Sequence, residues 1–501
     1  MPTSTMTHPV RLHLSWRQNG DSFDVAVAAN RLLAHECAVW WCLKPSGSAE
    51  AGDYLVEGSP DIAERLSALG LSTTHWPGRL PSAARPLESP RIALLAGKSS
   101  AYPYFAYYTL CLTRLGLSYE PVGGGEILGG ALGGANLFVL PGGFATWGLD
   151  KSEASPGADA AVRAFMQAGG ACIGACGGAY YLSAGRPGWT GTAWARPRYT
   201  HEYLQSGTGI VSLRMSDPVL ALGCPATVEV PYYHGPIWED VGSGAAVSAV
   251  FDKLCLPGRV AIDNPLQGAV FRREMTGRPA ILRARGRRGR AVLFSPHPEM
   301  GDLVRKFIAL DGYIRHYLPI RGRRTMEETL LAYRPLDSPG FRLALNAVHA
   351  LMLESPAPRR GDSSQITSAA PPAARPLARL RSFRQAVEAT LTPLRVPRAT
   401  EYGAVVRTVA EDLASRLAPA ASGLANALRR LGAMPGAEGQ RILRAWNHLA
   451  TRGTQTLERN LPPRRPVAER LMQVELAITL WDAWRRLIEA ECALAPARSR
   501  R

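Results

Sequence analysis

The sequence predicts an α/β central domain, with a small strand-rich α+β domain before it and a helical bundle after it. Apolar runs over 138–140 and 171–173 end in glycine-rich turns, as buried strands commonly do. A third such run, over 291–295, ends just before His297. Beyond residue 380, apolar residues recur at helical spacing. At 501 residues the chain is too long for one compact core, so two or three domains are expected.

Residues 171–180 read ACIGACGGAY and centre on Cys176. The run is typical of a strand, a sharp turn and a helix that begins at the turn. Flanking glycines permit a backbone conformation that a Cβ would obstruct, which is the geometry of the G-x-S-x-G elbow with cysteine in place of serine. The positive end of the helix dipole would favour a nucleophilic thiolate. A cysteine packed in the core has the same surroundings in sequence, so this stretch alone leaves both interpretations open.

A second stretch supplies the groups that a cysteine nucleophile needs. The predicted strand over 291–295 delivers Pro-His-Pro-Glu-Met at its carboxyl end. A nucleophile needs a base to take its proton, and the base needs a third group to orient it. His297 and Glu299 are two residues apart and could point toward one pocket. The sequence therefore predicts a catalytic triad of Cys176, His297 and Glu299.

These residues resemble those of the class I glutamine amidotransferase-like superfamily, whose members carry a cysteine elbow and a downstream His-Pro-Glu. Within it, the chain is most similar to the amidotransferase-like domain at the N-terminus of eukaryotic biotin protein ligases and to its free-standing bacterial relatives. The resemblance extends from about Arg91 to about Tyr317 and implies a flavodoxin-like fold there. It is carried by Pro141-Gly142-Gly143, Gly174–Leu182, Tyr232–Pro236 and Ser295–Glu299.

The resemblance also implies an oxyanion hole and shows one departure. In the superfamily, an amide of the turn after the preceding strand joins the amide that follows the nucleophile, which here would be those of Gly143 and Gly177. Relatives that use glutamine generally carry a glutamine four residues after the cysteine, where this chain has Tyr180. The departure argues against glutamine as substrate, whereas amide hydrolysis or acyl transfer in general is still expected.

Several aromatic residues are candidates for substrate contact. In the resembled family the loop after the first strand lines the pocket, which makes Tyr102 and Tyr104 candidates. Tyr180, Tyr233 and His234 complete the set. The alternatives are that Tyr102 and Tyr104 cover the sheet edge and that His234 closes a turn. No cofactor is predicted.

Composition shifts divide the chain into five segments. We expect a strand-rich α+β domain over 1–88, which includes short strands at 10–16, 23–27, 38–43 and 53–56 and a helix over 59–70. The amidotransferase-like domain covers 89–320, and a helical extension covers 321–354. Residues 355–380 are rich in Pro, Ala and Ser and predict a flexible linker. An arginine-rich helical bundle over 381–501 follows, with Pro419 among the prolines that separate its helices.

Three local patterns resemble known binding sites, but the sequence favours a different interpretation of each. Gly97-Lys98-Ser99 lacks the first glycine of a phosphate-binding loop. The spacing and apolar neighbours of His35, Cys37 and Cys42 favour core packing over a metal site. The run Arg285–Arg290 resembles the adenylate-binding loop of biotin ligases, but it lies between two predicted strands, where a tight hairpin is expected.

Charge and composition bound the remaining functions. The formal net charge is +17, carried almost entirely by arginine and concentrated after residue 320. We find no interleaved aromatic residues and no known nucleic-acid motif there, so nucleic acid is not the expected partner; a protein partner of the bundle is left open. The N-terminus has no signal peptide pattern, and no apolar run is long enough for a membrane span. Eight scattered cysteines without a CxxC pair fit a reduced, cytoplasmic setting.

Three functional hypotheses follow. The first is an amidotransferase-like cysteine hydrolase or acyl-transfer enzyme that acts on a small-molecule amide. The second is a catalytically silent binding or regulatory module of the biotin-protein-ligase N-terminal type. The third is a scaffold whose bundle contacts nucleic acid or another acidic partner.

Overall fold

A central mixed sheet positions every residue of the predicted triad. The structure is a computed structural model that describes residues 9–143, 157–183, 195–197, 207–260, 264–285, 289–316, 333, 336–353, 374–396, 401–434, 436–460 and 466–496.

The N-terminal region is a five-stranded antiparallel sheet with two helices. Its elements are β1 (Val10–Leu14), α1 (Asp24–Ala34), β2 (Ala38–Cys42), β3 (Tyr54–Gly58), α2 (Ile62–Ser67), β4 (Thr74–His75) and β5 (Ala84–Pro86). The strand order is β4-β1-β3-β2-β5.

One element of this region differs from its prediction. The pattern predicts a strand over 23–27, but these residues lie at and within the start of α1. Residues 25–33 of the helix are buried all round, so its sequence lacks the polar stripe that marks a surface helix. A short apolar run of this kind does not distinguish a buried helix from a strand.

The central sheet has nine strands. The sheet and its helices comprise β6 (Ile92–Leu95), α3 (Tyr104–Arg114), β7 (Tyr119–Val122), α4 (Gly124–Leu128), β8 (Leu137–Leu140), α5 (Ala158–Gln167), β9 (Ala171–Ala175), α6 (Gly177–Leu182), β11 (Thr208–Met215), β12 (Thr227–Tyr233), β14 (Ala245–Pro257), α7 (Gly268–Glu274), β15 (Pro279–Arg285), β16 (Arg290–Phe294) and α8 (Gly301–His316). The strand order is β12-β11-β14-β15-β16-β9-β8-β6-β7. A separate pair, β10 (Ala195–Pro197) and β13 (Trp238–Val241), is antiparallel.

Half of this sheet is parallel and confirms the predicted flavodoxin-like fold. Strands β7, β6, β8, β9 and β16 pair in parallel. Counted along the chain, with β6 as first, their order is 2-1-3-4-5, which is the flavodoxin-like order. In such sheets ligands bind outside the carboxyl ends of the strands, near the point where the strand order reverses.

The other half of the sheet is antiparallel and begins at β15. Arg285 pairs with Arg290 across the β15–β16 hairpin, which confirms the hairpin expected at the ligase-like run; residues 286–288 lie outside the described part. This antiparallel extension carries Tyr233 at the end of β12.

The two faces of the sheet bury separate cores. One face packs against α4, α5 and α6 through residues such as Ile127, Val162 and Leu182. The other packs against α3, α8 and α9 (Pro339–Leu353). That second core is continuous with the N-terminal region and with the C-terminal helices.

The C-terminal helices are α10 (Ala374–Leu391), α11 (Glu401–Gly432), α12 (Ala437–Asn460) and α13 (Val467–Leu494). Two details of the sequence prediction are wrong here. Residues 374–380, expected in the linker, begin α10, where Leu380 is buried and the Trp446 indole donates to the Pro376 carbonyl at 3.2 Å. Helix α11 continues through Pro419 and packs along α13, which holds it together past the proline. Residues 354–373 lie outside the described part of the chain, and the five-segment division remains a prediction.

Ion pairs join the C-terminal helices to the rest of the chain. Lys306 of α8 lies 2.7 Å from Glu475 of α13, and both are buried. Arg31 of α1 lies 2.6 Å from Glu438 of α12, and Arg444 pairs with Glu120 of β7. Many arginines of this region therefore meet carboxylates within the protein. No helix in the described ranges has the length and apolar character that a membrane span needs.

Candidate active site

The loops that follow β6, β8, β9 and β16 meet at the carboxyl ends of these parallel strands. They carry Ser99 and Ser100, Gly142 and Gly143, Cys176 and His297 respectively. The Ser100 hydroxyl donates to the Gly142 carbonyl at 3.3 Å. The candidate triad therefore lies where this fold places its ligands.

Cys176 occupies a strained turn between β9 and α6. Its φ is +49° and its ψ is −112°, a conformation that a residue with a Cβ rarely adopts. Gly178 is required beside it, because a Cβ there would clash with the Leu140 carbonyl. The Cys176 N–H donates to the Phe294 carbonyl at 2.9 Å, which ties the elbow to β16. The elbow predicted from the glycine pattern is thus present as a strand, turn and helix.

His297 and Glu299 form a buried pair after β16. His297 Nδ1 lies 2.7 Å from Glu299 Oε1, with 0% and 1% of the side chains exposed. The His297 N–H donates to the Pro231 carbonyl at 2.8 Å. Burial by itself lowers the pKa of His297, but the negative charges of Glu299 and Cys176 raise it, with a net rise to about 10. The surroundings of the imidazole therefore favour its protonated form.

The Cys176 thiol and the His297 imidazole both lie next to Gly142. A Cβ on Gly142 would lie 2.9 Å from His297 Cε1 and 3.7 Å from Cys176 Sγ. The two groups therefore border the same small volume, which only a glycine leaves free. His297 Nε2 is buried and makes no hydrogen bond with any of the described residues.

Tyr233 borders both members of this pair. The Cys176 thiol donates to the Tyr233 carbonyl at 3.0 Å. The Tyr233 ring meets the His297 ring edge-on, with centroids 5.9 Å apart and planes at 88°. The Tyr233 hydroxyl donates to the Val260 carbonyl at 3.1 Å. Tyr233, predicted to contact substrate, thus forms a wall of the candidate site.

The two predicted oxyanion donors also lie side by side. A Cβ on Gly177 would lie 3.0 Å from the Gly143 nitrogen. Gly143 has a φ of +116°, and a Cβ there would lie 2.9 Å from the Ser99 carbonyl. Both positions therefore require glycine, because the two backbones approach each other too closely for a side chain.

The remaining predicted contacts have different surroundings. Tyr102 and Tyr180 are buried; the Tyr102 hydroxyl has no hydrogen-bond partner in the described ranges, and burial raises its pKa. His234 has a φ of +51°, and its Nδ1 accepts from the Gly207 N–H at 3.3 Å. This contact joins the residue before β11 to the residue after β12, and the predicted substrate contact of His234 stays a prediction. Tyr104 is the first residue of α3.

Two groups near the triad were not predicted from the sequence. Helix α3 packs on the turn of residues 298–300 and brings Tyr108 close to the triad. Burial raises the pKa of Tyr108, and the negative charges of Glu299 and Cys176 raise it further. The Tyr108 hydroxyl and Glu299 Oε2 are both buried, and neither has a partner among the residues described. The feature of the sequence that could have indicated Tyr108 is a tyrosine within the apolar run of α3.

The second missed group comes from the C-terminal helices. Glu469, in the first turn of α13, is only 9% exposed, and its negative charge adds to the rise that burial causes in the pKa of Tyr107 and of Tyr233. It stands 170 residues after Glu299 in the chain, and no local motif marks it. The described ranges contain no cluster of three or more His, Cys, Asp or Glu that could hold a metal ion.

No protein-family model and no curated protein sequence matches this chain. Similar solved structures include a glutamine amidotransferase, 19% identical, which covers 42% of this chain and 90% of its own, with a TM-score of 0.28. A protein from Thermoplasma acidophilum described as a putative GMP synthase subunit is 12% identical over 53% of this chain and 94% of its own, with a TM-score of 0.29. A glutamine amidotransferase from Thermotoga maritima is 15% identical over 53% and 99%, with a TM-score of 0.32.

Proposed function

We propose that the chain is an amidotransferase-like cysteine enzyme that cleaves or transfers the acyl group of a small-molecule amide. Cys176 is the nucleophile, His297 the general base and acid, and Glu299 the group that orients the imidazole. One observation carries the proposal: Cys176 Sγ and the His297 ring border the same point beside Gly142, while Glu299 holds the far side of that ring at 2.7 Å.

The reaction begins when the Cys176 thiol gives its proton to His297 Nε2. The thiolate attacks the amide carbonyl carbon, and the oxyanion that forms accepts hydrogen bonds from the Gly143 and Gly177 N–H groups. When the C–N bond breaks, His297 gives its proton to the leaving amine, and a thioester stays on Cys176. Water or a second amine then attacks the thioester and restores the thiol.

The placement of the His297 proton by Glu299 fits this sequence of steps. Glu299 favours a proton on Nδ1, which leaves Nε2 as the atom that faces the thiol. The raised pKa of His297 makes its imidazole a strong acceptor for the thiol proton. Tyr180 in the position of the usual glutamine supports an amide other than glutamine as substrate.

A second function, a silent binding or regulatory module, has an observation in its favour. Cys176 is 5% exposed, and its thiol donates to the Tyr233 carbonyl at 3.0 Å. In that arrangement the thiol proton is directed toward a backbone acceptor. For turnover the Cβ–Sγ bond must rotate so that the proton reaches His297.

The two functions are separated by activity and by labelling. Wild type, Cys176→Ala and the control Cys172→Ala are each supplied with a panel of amides and esters, and release of amine or alcohol is followed. Cys172 is a buried cysteine of β9 outside the candidate triad. We expect turnover in wild type and Cys172→Ala and none in Cys176→Ala. If all three proteins release amine or alcohol at the same rate and the Cys176 thiol is unreactive, the result would establish the silent module instead.

A further inference from the structure

We propose that the substrate carries an anionic group, a carboxylate or a phosphate, and that Arg452 of α12 binds this group at the sheet edge beside the candidate triad. This inference rests on the proposed function, because it assigns the substrate class of the same site. It is carried by the place of the Arg452 guanidinium, which lies half-buried at the carboxyl end of β6 and has no carboxylate partner among the described residues.

Helix α12 brings Arg452 to the point at which the strand order of the sheet reverses. Arg452 Nη1 donates to the Ala96 carbonyl at 3.3 Å, and Ala96 is the residue that directly follows β6. Strand β6 lies between β7 and β8, where the flavodoxin-like order changes direction. Because sheets of this kind bind ligands outside the carboxyl ends of the strands at the reversal, the guanidinium lies where a ligand is expected.

The register of the sheet gives the separation between this place and the elbow. Strands β6, β8 and β9 are in register through Leu94, Val139 and Ile173. The residues two positions further along β6 and β9 are Ala96 and Ala175, so these two lie level with each other and two strands apart. Neighbouring strands are about 4.8 Å apart, so this separation is about 10 Å. A small-molecule amide can span it, with its carbonyl at the elbow and its anionic end over β6.

The contacts of Arg452 fix the guanidinium and leave donors for a ligand. The guanidinium carbon lies 5.8 Å from the centroid of the Phe105 ring, and the bond to Ala96 holds one nitrogen. An arginine carries more N–H donors than this one bond uses. No nitrogen of Arg452 is fully buried without a partner, so the remaining donors stay accessible. Their planar fork matches two oxygens of a carboxylate or of a phosphate.

Other arginines of α12 show what Arg452 lacks. Arg441 and Arg444 both pair with the Glu120 carboxylate of β7. Arg452, on the same helix, has no such pair in the part of the chain that the structure describes. Partial burial of a charge without a counter-charge is unfavourable, and an anionic substrate group would supply the counter-charge.

The charged and titratable groups nearby leave the positive charge of Arg452 in place. Burial and the positive charge of Arg452 lower the pKa of His448 to about 4, while the negative charge of Glu126 acts in the opposite direction. Glu126 itself accepts an N–H at the start of α4 at 3.0 Å. Lys98, in the loop after β6, is exposed and forms no ion pair within the described ranges. This edge of the sheet therefore carries a positive charge that an anion can neutralise.

The test compares two reagents that differ in charge and modify the same sulfur. Cys176 is treated with neutral methyl methanethiosulfonate or with anionic 2-sulfonatoethyl methanethiosulfonate, and the modified Cys176 peptide is quantified by mass spectrometry. The ratio of the anionic to the neutral rate is compared in wild type, Arg452→Met and Arg459→Met. Arg459 is the matched control, because it is an exposed arginine of the same helix and its replacement removes the same charge.

We expect Arg452→Met to lower the rate ratio by roughly fivefold or more, while Arg459→Met changes it by less than about twofold. If Arg452 only holds the loop after β6, its replacement would alter both rates equally and leave the ratio unchanged, which would overturn the anionic subsite. Failure of the neutral reagent to modify wild-type Cys176 would instead overturn the proposed function, so the two failures are distinguishable.

A measurement on wild type decides the question if Arg452→Met does not fold. Sodium acetate, sodium phosphate and sodium chloride are compared, at equal ionic strength, as competitors of the anionic reagent at Cys176. We expect acetate or phosphate to slow the modification more than chloride does, and the more effective anion identifies the group as a carboxylate or a phosphate. Equal rates in the three salts would overturn the subsite.

Discussion

His297 Nδ1 lies 2.7 Å from Glu299 Oε1, and both side chains are enclosed by protein. The two residues are neighbours in sequence, and the turn of residues 298–300 is packed against α3, α8, α9 and β12. Five measurements test what this arrangement and its surroundings imply.

Replacing Glu299 tests its orienting role. In Glu299→Gln, the amide no longer stabilises the imidazolium or fixes its tautomer. We expect the rate of Cys176 alkylation by iodoacetamide at pH 7 to fall by about 10²-fold or more. The rate is read from the Cys176 peptide, with the exposed Cys255 as an internal reference. A rate within twofold of wild type would remove Glu299 from the triad.

The raised pKa of His297 predicts a pH-dependent stability. Between the unfolded pKa near 6.5 and the folded pKa of about 10, only the folded protein holds the proton. The stabilisation by His297 is therefore complete below pH 6.5 and is lost as the pH rises toward 10. We expect the difference in unfolding free energy between wild type and His297→Gln to shrink over this window, as measured by urea denaturation. A difference that grows with pH would contradict this sign.

The space beside Gly142 predicts a selective loss of reactivity. In Gly142→Ala, the new Cβ would lie 2.9 Å from His297 Cε1 and would push the imidazole away from Cys176. We expect at least about a tenfold loss of turnover or of Cys176 labelling, since small displacements of reacting groups have large effects on rate. The matched variant Gly125→Ala, where a Cβ would meet nothing within 4 Å, should react as wild type does. Equal reactivity of both variants would show that the site tolerates a side chain there.

The buried Tyr108 hydroxyl predicts an unusual stability effect. Tyr108→Phe removes a hydroxyl that lacks a partner within the described ranges and keeps the ring. We expect a gain of about 1 kcal/mol in unfolding free energy. Tyr181→Phe is the control, because its hydroxyl donates to Asp159 at 2.6 Å, and it should lose about 1–3 kcal/mol. A comparable loss for Tyr108→Phe would mean that the hydroxyl holds Glu299 Oε2 directly or through water.

The Lys306–Glu475 pair predicts strong coupling of the C-terminal helices to the central domain. Both groups are buried, and Glu475 also pairs with Arg416 of α11 at 3.3 Å. Glu475→Gln therefore leaves the Lys306 ammonium without its charge partner and weakens the contact of Arg416. We expect a loss of about 3–5 kcal/mol in unfolding free energy. The exposed pair of Arg384 and Glu388 within α10 provides the comparison, and Arg384→Met should cost less than about 1 kcal/mol. Similar losses would show that the buried pair does not couple the two parts.

Local patterns predicted the parts of the site that depend on backbone geometry. The glycines around Cys176 and the turn at Gly142–Gly143 are local requirements, because no side chain fits where the backbones approach. The strand before His297 follows from a short apolar run, whereas the flavodoxin-like order of the sheet was implied by the resemblance to the amidotransferase-like superfamily. The prediction of a strand over 23–27 was wrong. Burial on all sides removes the alternation of polar and apolar residues that distinguishes a strand from a helix.

The sequence by itself determined the elbow at Cys176 and the position of His297 and Glu299 after a strand, and the resemblance of these motifs to a known superfamily implied the flavodoxin-like fold. Only the tertiary structure decided that Tyr108 lies near the triad and that α13 shares a core with the sheet. These contacts join residues far apart in the chain through side-chain packing. Periodicity reports which face of a helix is buried, but it does not report what that face is buried against.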